Sequence, residues 1–305
     1  MSEHPHDLPL TEEINPSTAD LDTLDTHELL HRINDEDRRA AWAVERELDA
    51  IGTAVDAIAG RLESGGRLHY FGAGTSGRIG VMDAAEMPPT FSVPDDLVVA
   101  HLAGGPAAMS RAVEGAEDDA AAGSAEVRSA RIGSRDAVIG LSASGRAPYV
   151  LGAMCEAAGA GALTVGITND QRSPLARSVD VPIALLTGAE AVAGSTRMKA
   201  ASAQKMALAT ISTAVMVKLG RVHGNLMVGV AATNEKLRAR AVRVVALLSG
   251  QGEEEARVAL EACEYGVKPA VLVLRRHCSA NDARELLERC GGDLRRALTE
   301  TASAP

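Results

Sequence analysis

RLHYFGAGTSGRIG, residues 67–80, reads as a short apolar strand over Leu68–Phe71 that runs straight into Gly72-Ala73-Gly74-Thr75-Ser76-Gly77-Arg78 and from there into a helix. A glycine-rich turn between a buried strand and a helix N-terminus is the opening of a βαβ unit. Four more apolar runs repeat the strand signal at 97–102, 137–141, 163–167 and 181–186, with helical stretches between most of them. Apolar strands alternating with helices predict a parallel sheet covered on both faces. Right-handed crossovers then give an α/β fold, a doubly wound parallel sheet flanked by helices, with ligands at the carboxyl ends of the strands.

Upstream of this stretch, residues 1–34 read as a loosely ordered arm ending in a short helix over 26–33. Asn34-Asp35-Glu36-Asp37 reads as the acidic first turn of a long helix over 38–62, where the helix dipole favours carboxylates. Downstream of the last strand, helices are expected over 196–218 and 226–248. Ser249-Gly250-Gln251-Gly252 reads as a linker, and the remainder as a small C-terminal helical subdomain. The expected division is therefore 1–34, 35–248 and 249–305.

The composition narrows the function. The chain has 305 residues, 46% hydrophobic and 24% charged, enough to fill a sizeable core. Lys and Arg number 31 against 41 Asp and Glu, a net charge of -10, which argues against the basic face of a nucleic-acid binder. One Trp, three Tyr and two Phe leave little for an aromatic stacking platform, so affinity falls to amides, hydroxyls and charges. Cys155, Cys263, Cys278 and Cys290 form no CxxC pair, which suits a reduced, cytoplasmic setting without a thiolate metal cluster. The polar, acidic N-terminal stretch does not read as a signal peptide, and no apolar run reaches membrane-spanning length.

The 72–77 loop fits the dinucleotide pattern GxGxxG, yet the second strand ends Ala100-His101-Leu102-Ala103-Gly104 with no acid to hold a ribose. Hydroxyls and free amides at a helix N-terminus suit a phosphomonoester better; a tight packing turn is the alternative. Leu141-Ser142-Ala143-Ser144-Gly145-Arg146, again at a strand end before a helix, is either the second half of one anion cradle or a serine cap. Glu86 stands just before Pro88-Pro89, where a helix is expected to end. The dipole there should raise the carboxyl's pKa and suit it to general acid work. Val113-Glu114-Gly115-Ala116-Glu117-Asp118-Asp119 offers a second carboxylate, or merely a solvated helix start.

His27-Glu28-Leu29-Leu30-His31 spells the zinc-protease HExxH, but it sits in the acidic arm ahead of the sheet, so it reads as a surface helix and no metal is expected. Gly188-Ala189-Glu190 leads to Gly194-Ser195-Thr196-Arg197-Met198-Lys199 at the start of a helix. Ser195 or Thr196 would cap it. Arg197 and Lys199 so near a helix N-terminus imply an anion to meet, or a buried pair with Glu190.

Taken together, GAGTSGR, DAAE before two prolines, VEGAED, ASGR-x-PYV, GAE-x(3)-GSTRMK and ATNEKL resemble the N-acetylmuramic acid 6-phosphate etherase family, from about residue 33 to the C-terminal helices. The GAE…GSTRMK segment is shared with the related glucokinase regulatory protein. The resemblance implies a sugar isomerase (SIS) fold and cleavage of the D-lactyl ether of a phosphosugar without cofactor or metal. It places the catalytic glutamates at Glu86 and Glu117, and the phosphate on Thr75, Ser76, Gly77, Ser142, Ser144 and Gly145. Arg78, Glu190, Ser195, Thr196, Lys199, His223 and Asn234, with Asn225 and Glu235, are candidates to line the site, although His223 reads as readily as a core or cap residue. It also implies a homodimer. Two departures stand out: Ala147 where many relatives carry a hydroxyl, and Met87 beside Glu86 in place of a small or thiol residue. A non-catalytic phosphosugar regulator and an aldose–ketose isomerase are the alternatives, separable by whether lactate, an isomerised sugar or nothing is released.

Overall fold

The computed structural model describes residues 9–229 and 235–300. The chain divides into two compact units, Met1–Ala85 with Asp96–Thr213, and Glu86–Asp95 with Ala214–Pro305.

The first unit carries α1 (Thr26–Asp37), α2 (Arg39–Glu45), α3 (Leu48–Glu63), β1 (Leu68–Gly72) and the start of α4 (Gly74–Phe91). It continues with β2 (Val98–Leu102), α5 (Ala120–Ser129), β3 (Ala137–Leu141), α6 (Pro148–Gly159) and β4 (Leu163–Thr168). It closes with α7 (Pro174–Ser178), β5 (Val181–Ala184) and most of α8 (Lys199–Lys218). The five strands pair in parallel in the order β2-β1-β3-β4-β5. Every residue of β1, β3 and β4 is buried, as continuous apolar runs require. Pro182, exposed in β5, is tolerated because that strand is an edge. On one face Phe71 and Val138 pack with Val127 of α5 and with Tyr149, Val150 and Met154 of α6. The chain leaves β1 for β2 on one side and returns past β1 to β3 on the other. The topological switch point, where such sheets open a crevice, therefore lies between β1 and β3.

Four expectations are corrected in this unit and in α4. From residue 9 on, the arm is docked rather than loose: Leu10–Glu12, Pro16–Thr18 and Leu21–Thr23 form single 3-10 turns, and Thr11, Asn15 and Thr18 are buried. The acids 34–37 close α1 instead of opening a long helix; α1 is started by Asp25, which accepts the Glu28 amide at 2.9 Å. The expected long helix is two, α2 and α3. They part at Glu47, whose carboxylate accepts the Ala184 amide at 3.2 Å and so binds the edge strand β5. Finally, α4 does not stop at Glu86 but runs through Pro88 and Pro89 to Phe91. Proline's fixed φ is helical, and its missing N–H leaves the carbonyls of Ala84 and Ala85 without their helical donors. Ser92, at φ 50°, ends the helix with its amide on the Pro88 carbonyl at 3.0 Å.

In the second unit, β6 (Val222–His223) and β7 (Leu226–Met227) make an antiparallel hairpin where a helix was expected to begin at 226. Beyond it lie α9 (Glu235–Ser249), α10 (Glu253–Ala262), α11 (Val267–Arg276), α12 (Ala280–Arg289) and α13 (Leu294–Thr299). Val242 and Val245 of α9 share one core with Leu260, Val271 and Leu287, so α9 packs with the helices that follow the Ser249–Gly252 linker. Among the described residues no helix is long and apolar enough to cross a membrane.

Candidate active site

Helix α4 begins two residues after β1 because Gly77 lets it rest on the strand. A Cβ at Gly77 would lie 2.5 Å from both the Gly72 carbonyl oxygen and Leu102 Cδ1. The amides of Gly74, Thr75 and Ser76 precede the first helical bond, from Gly77 N to Ala73 O at 3.1 Å, and so are free at the positive end of the dipole. After β3, the Gly145 amide bonds Ser142 O at 3.0 Å and the Arg146 amide bonds Ser144 Oγ at 3.2 Å. The Ser144 oxygen accepts there, which leaves its own O–H to donate outward. The two loops flank the switch point and line one cavity of about 270 Å³. Its wall includes Thr75, Ser76, Ser142, Ser144, Ala147, Thr196 and the acidic residues Glu117 and Glu12. Among the described residues, the hydroxyls of Thr75, Ser76 and Ser142 have no protein partner. Unsatisfied donors converging from two loops suit a multiply charged oxyanion.

Glu117 sits on the 3-10 turn Ala116–Asp118, directly before α5. Asp119 starts α5 by accepting the Ala122 amide at 2.8 Å. Helix α5 is tied down through Glu126, which accepts the Tyr149 hydroxyl at 2.7 Å and His101 Nδ1 at 3.3 Å. With His101 Nδ1 protonated, its Nε2 accepts a hydrogen bond from His69 Nδ1–H, 3.1 Å away. Burial lowers the His69 pKa to about 3, so that ring is neutral. Burial alone would raise Glu126, but the bonds from His101 and Tyr149 outweigh it and hold that carboxyl below the usual range. Glu117 has no such donors. Desolvation on its cavity side, with the neighbouring charge of Asp118, raises its carboxyl above the ordinary glutamate value.

Other expected site residues lie elsewhere. Gly77 and Gly145 sit beneath the loops rather than on the cavity wall. Arg78 is spent on the Ala108 carbonyl at 2.9 Å and the Arg111 carbonyl at 3.4 Å, holding the Pro106–Met109 turn. Glu190 is fully buried and receives the amides of Ala200 at 2.9 Å and Lys199 at 3.3 Å, so it covers the N-terminus of α8. Burial raises its carboxyl and those amides offset part of the rise. The Lys199 ammonium is also fully buried, but its partner is Glu36 of α1. The anion that the Lys199 ammonium pairs with is therefore the Glu36 side chain, while its charge also helps hold down the carboxyl of Glu190. Ser195 is half-buried in the turn before α8; Thr196 alone of that segment reaches the cavity.

Glu86 is exposed on α4 and is not among the residues that line the cavity. His223 belongs to β6, where burial and then Arg295 lower its pKa. Asn225 is exposed in the hairpin turn, and Asn234 lies outside the described residues. His27 and His31 bring their Nε2 atoms to 3.2 Å on an exposed face of α1. Glu12 was not foreseen: a polar arm gives no period or cap signal that would place it in a cavity.

Residues 50–158 match the family described as the glucokinase regulatory protein N-terminal SIS domain, and residues 120–218 match the SIS domain. The N-acetylmuramic acid 6-phosphate etherase of Pectobacterium atrosepticum is 49% identical over 289 residues, covering 95% of this chain and 95% of its own length. The protein of the same name from Salmonella agona is 49% identical, covering 95% and 97%. Among solved structures, a phosphoheptose isomerase from Francisella tularensis superposes with a TM-score of 0.51 at 15% identity, covering 64% of this chain and 100% of its own. At that identity the likeness speaks for the fold alone.

Proposed function

The chain belongs to the N-acetylmuramic acid 6-phosphate etherase family, and on that premise we propose how its residues release D-lactate and N-acetylglucosamine 6-phosphate from that phosphosugar. The observation that carries the reading is Glu117, with a raised carboxyl pKa, on the wall of the cavity that also gathers the free donors of both strand-end loops. The phosphate sits against the amides opening α4 and the hydroxyls of Thr75, Ser76, Ser142 and Ser144. Ala147, on the wall, supplies no hydroxyl, so the serines bear that load.

The ether oxygen is a poor leaving group, but it lies β to the aldehyde once the sugar ring opens. Glu117 takes the proton from carbon 2. The electron pair expels the lactate oxygen from carbon 3, and Glu86 supplies the proton to it. Water then adds to carbon 3 of the unsaturated aldehyde, with Glu86 now as base, and Glu117 returns a proton to carbon 2. Two carboxylates in unlike environments suit opposite roles. Glu117 is partly desolvated and Glu86 is solvated on its helix. The assignment of Glu86 rests on its DAAE motif. We place the enzyme in the cytoplasm as a homodimer, supported by four unpaired cysteines and the resemblance described above.

Ser144→Ala should weaken substrate binding by roughly 1–2 kcal/mol, the scale of one hydrogen bond to a charged group, read as a raised KM. The non-phosphorylated sugar should be nearly inert. Equal turnover of the phosphorylated and plain sugars would defeat the phosphate-cradle reading.

A further inference from the structure

Glu12 is the one carboxylate on the cavity wall to which the chemistry above gives no task. It is fixed there. Its 3-10 turn is closed by the Glu12 amide on the Pro9 carbonyl at 2.9 Å. The arm is fastened on both sides of it, by the Gly194 amide on the Thr11 carbonyl at 3.1 Å and by Asn15 Nδ2 on the Ala189 carbonyl at 3.3 Å. Gly194 makes the room: a Cβ there would stand 2.6 Å from Glu12 Oε2. Among the described residues the Glu12 carboxylate has no cation and no hydrogen-bond donor.

An acceptor-only group at the rim of a phosphate cradle cannot serve the phosphate, because like charges repel. What it can accept is a hydrogen bond from a neutral donor. We propose that Glu12 is a specificity-determining residue that accepts a hydrogen bond from an uncharged hydroxyl or acetamido N–H of the bound amino sugar, while its charge disfavours bare oxyanions. This rests on the phosphosugar reading of the cavity. It assigns the arm a part in recognition, delivered across the 188–196 segment that the arm is fastened to.

The proposal separates from a structural role by the sign of two effects. Compare the full-length protein and Glu12→Gln in binding N-acetylglucosamine 6-phosphate and, separately, inorganic phosphate. Glutamine keeps the shape but loses the charge, and position 12 is exposed, so folding is not at stake. N-acetylglucosamine 6-phosphate should bind about tenfold more weakly, the lower end for a hydrogen bond to a charged group. Inorganic phosphate should bind as well as before or more tightly. Parallel weakening of both ligands would make the arm a mere buttress and overturn the proposal, as would an unchanged affinity for the phosphosugar. Because binding is measured without turnover, a parent protein that binds both ligands but releases no lactate would count against the etherase chemistry and leave the Glu12 comparison intact.

Discussion

Glu86→Gln should stop ether cleavage yet still let the carbon 2 proton of the product exchange with heavy water, whereas Glu117→Gln should abolish both. The first variant removes the donor to the leaving oxygen and keeps the base; the second removes the base itself. Loss of a positioned acid or base costs about 10² to 10⁴ in rate, so either defect is plain in a simple assay. The assignment also sets the acid side of the pH profile. Glu117 works as the carboxylate, whose share grows as pH rises through its pKa. Burial, with Asp118, places that pKa above the ordinary glutamate value, so the rising limb should be centred above it. The opposite exchange pattern would swap the two roles, and full activity in both variants would end the mechanism.

Lys199→Met should cost about 3–5 kcal/mol of stability, the usual penalty for stranding one member of a buried ion pair, read as a fall in the denaturation midpoint. Among the described residues Glu36 would keep only Arg39, at 3.3 Å, as a cation. Adding Glu36→Leu should recover much of the loss, because an apolar pair of similar volume is often as stable as the ions it replaces. If Lys199 instead bound substrate, the single variant would raise KM at unchanged stability, and the second substitution would rescue nothing.

The sheet was legible because its signal is local. Five apolar runs specified five parallel strands to within two residues, and their alternation with helices pointed to the carboxyl ends of the strands as the ligand side; the switch point itself needed the strand order. What escaped the sequence was decided by partners far along the chain. The break between α2 and α3 follows a bond from Glu47 to an amide 137 residues away. The acids ending α1 make sense only through Glu36 and Lys199, 163 residues apart. Pro88 and Pro89 misled because proline forbids a helical N–H bond but not a helical φ. Thr75, Ser76, Ser142 and Ser144, which line the cavity, come from the two helix-start motifs read in the sequence. Arg78, Glu190 and Lys199 were legible as important, but their charges serve the Pro106–Met109 turn, the α8 N-terminus and α1. Glu12 lies on an arm docked by the Gly194 amide on the Thr11 carbonyl and by Asn15 Nδ2 on the Ala189 carbonyl, partners far along the chain that no local pattern announces.

In the proposed reaction lactate leaves by breaking the bond between carbon 3 and the ether oxygen, and water then adds to the sugar. Turnover of N-acetylmuramic acid 6-phosphate in water enriched in heavy oxygen, with both products weighed by mass spectrometry, tests this directly. The account predicts heavy oxygen in N-acetylglucosamine 6-phosphate at carbon 3 and a lactate that keeps its original hydroxyl oxygen. Heavy oxygen in the lactate hydroxyl, with none at carbon 3, would mean that water attacks the lactyl side, and would contradict it.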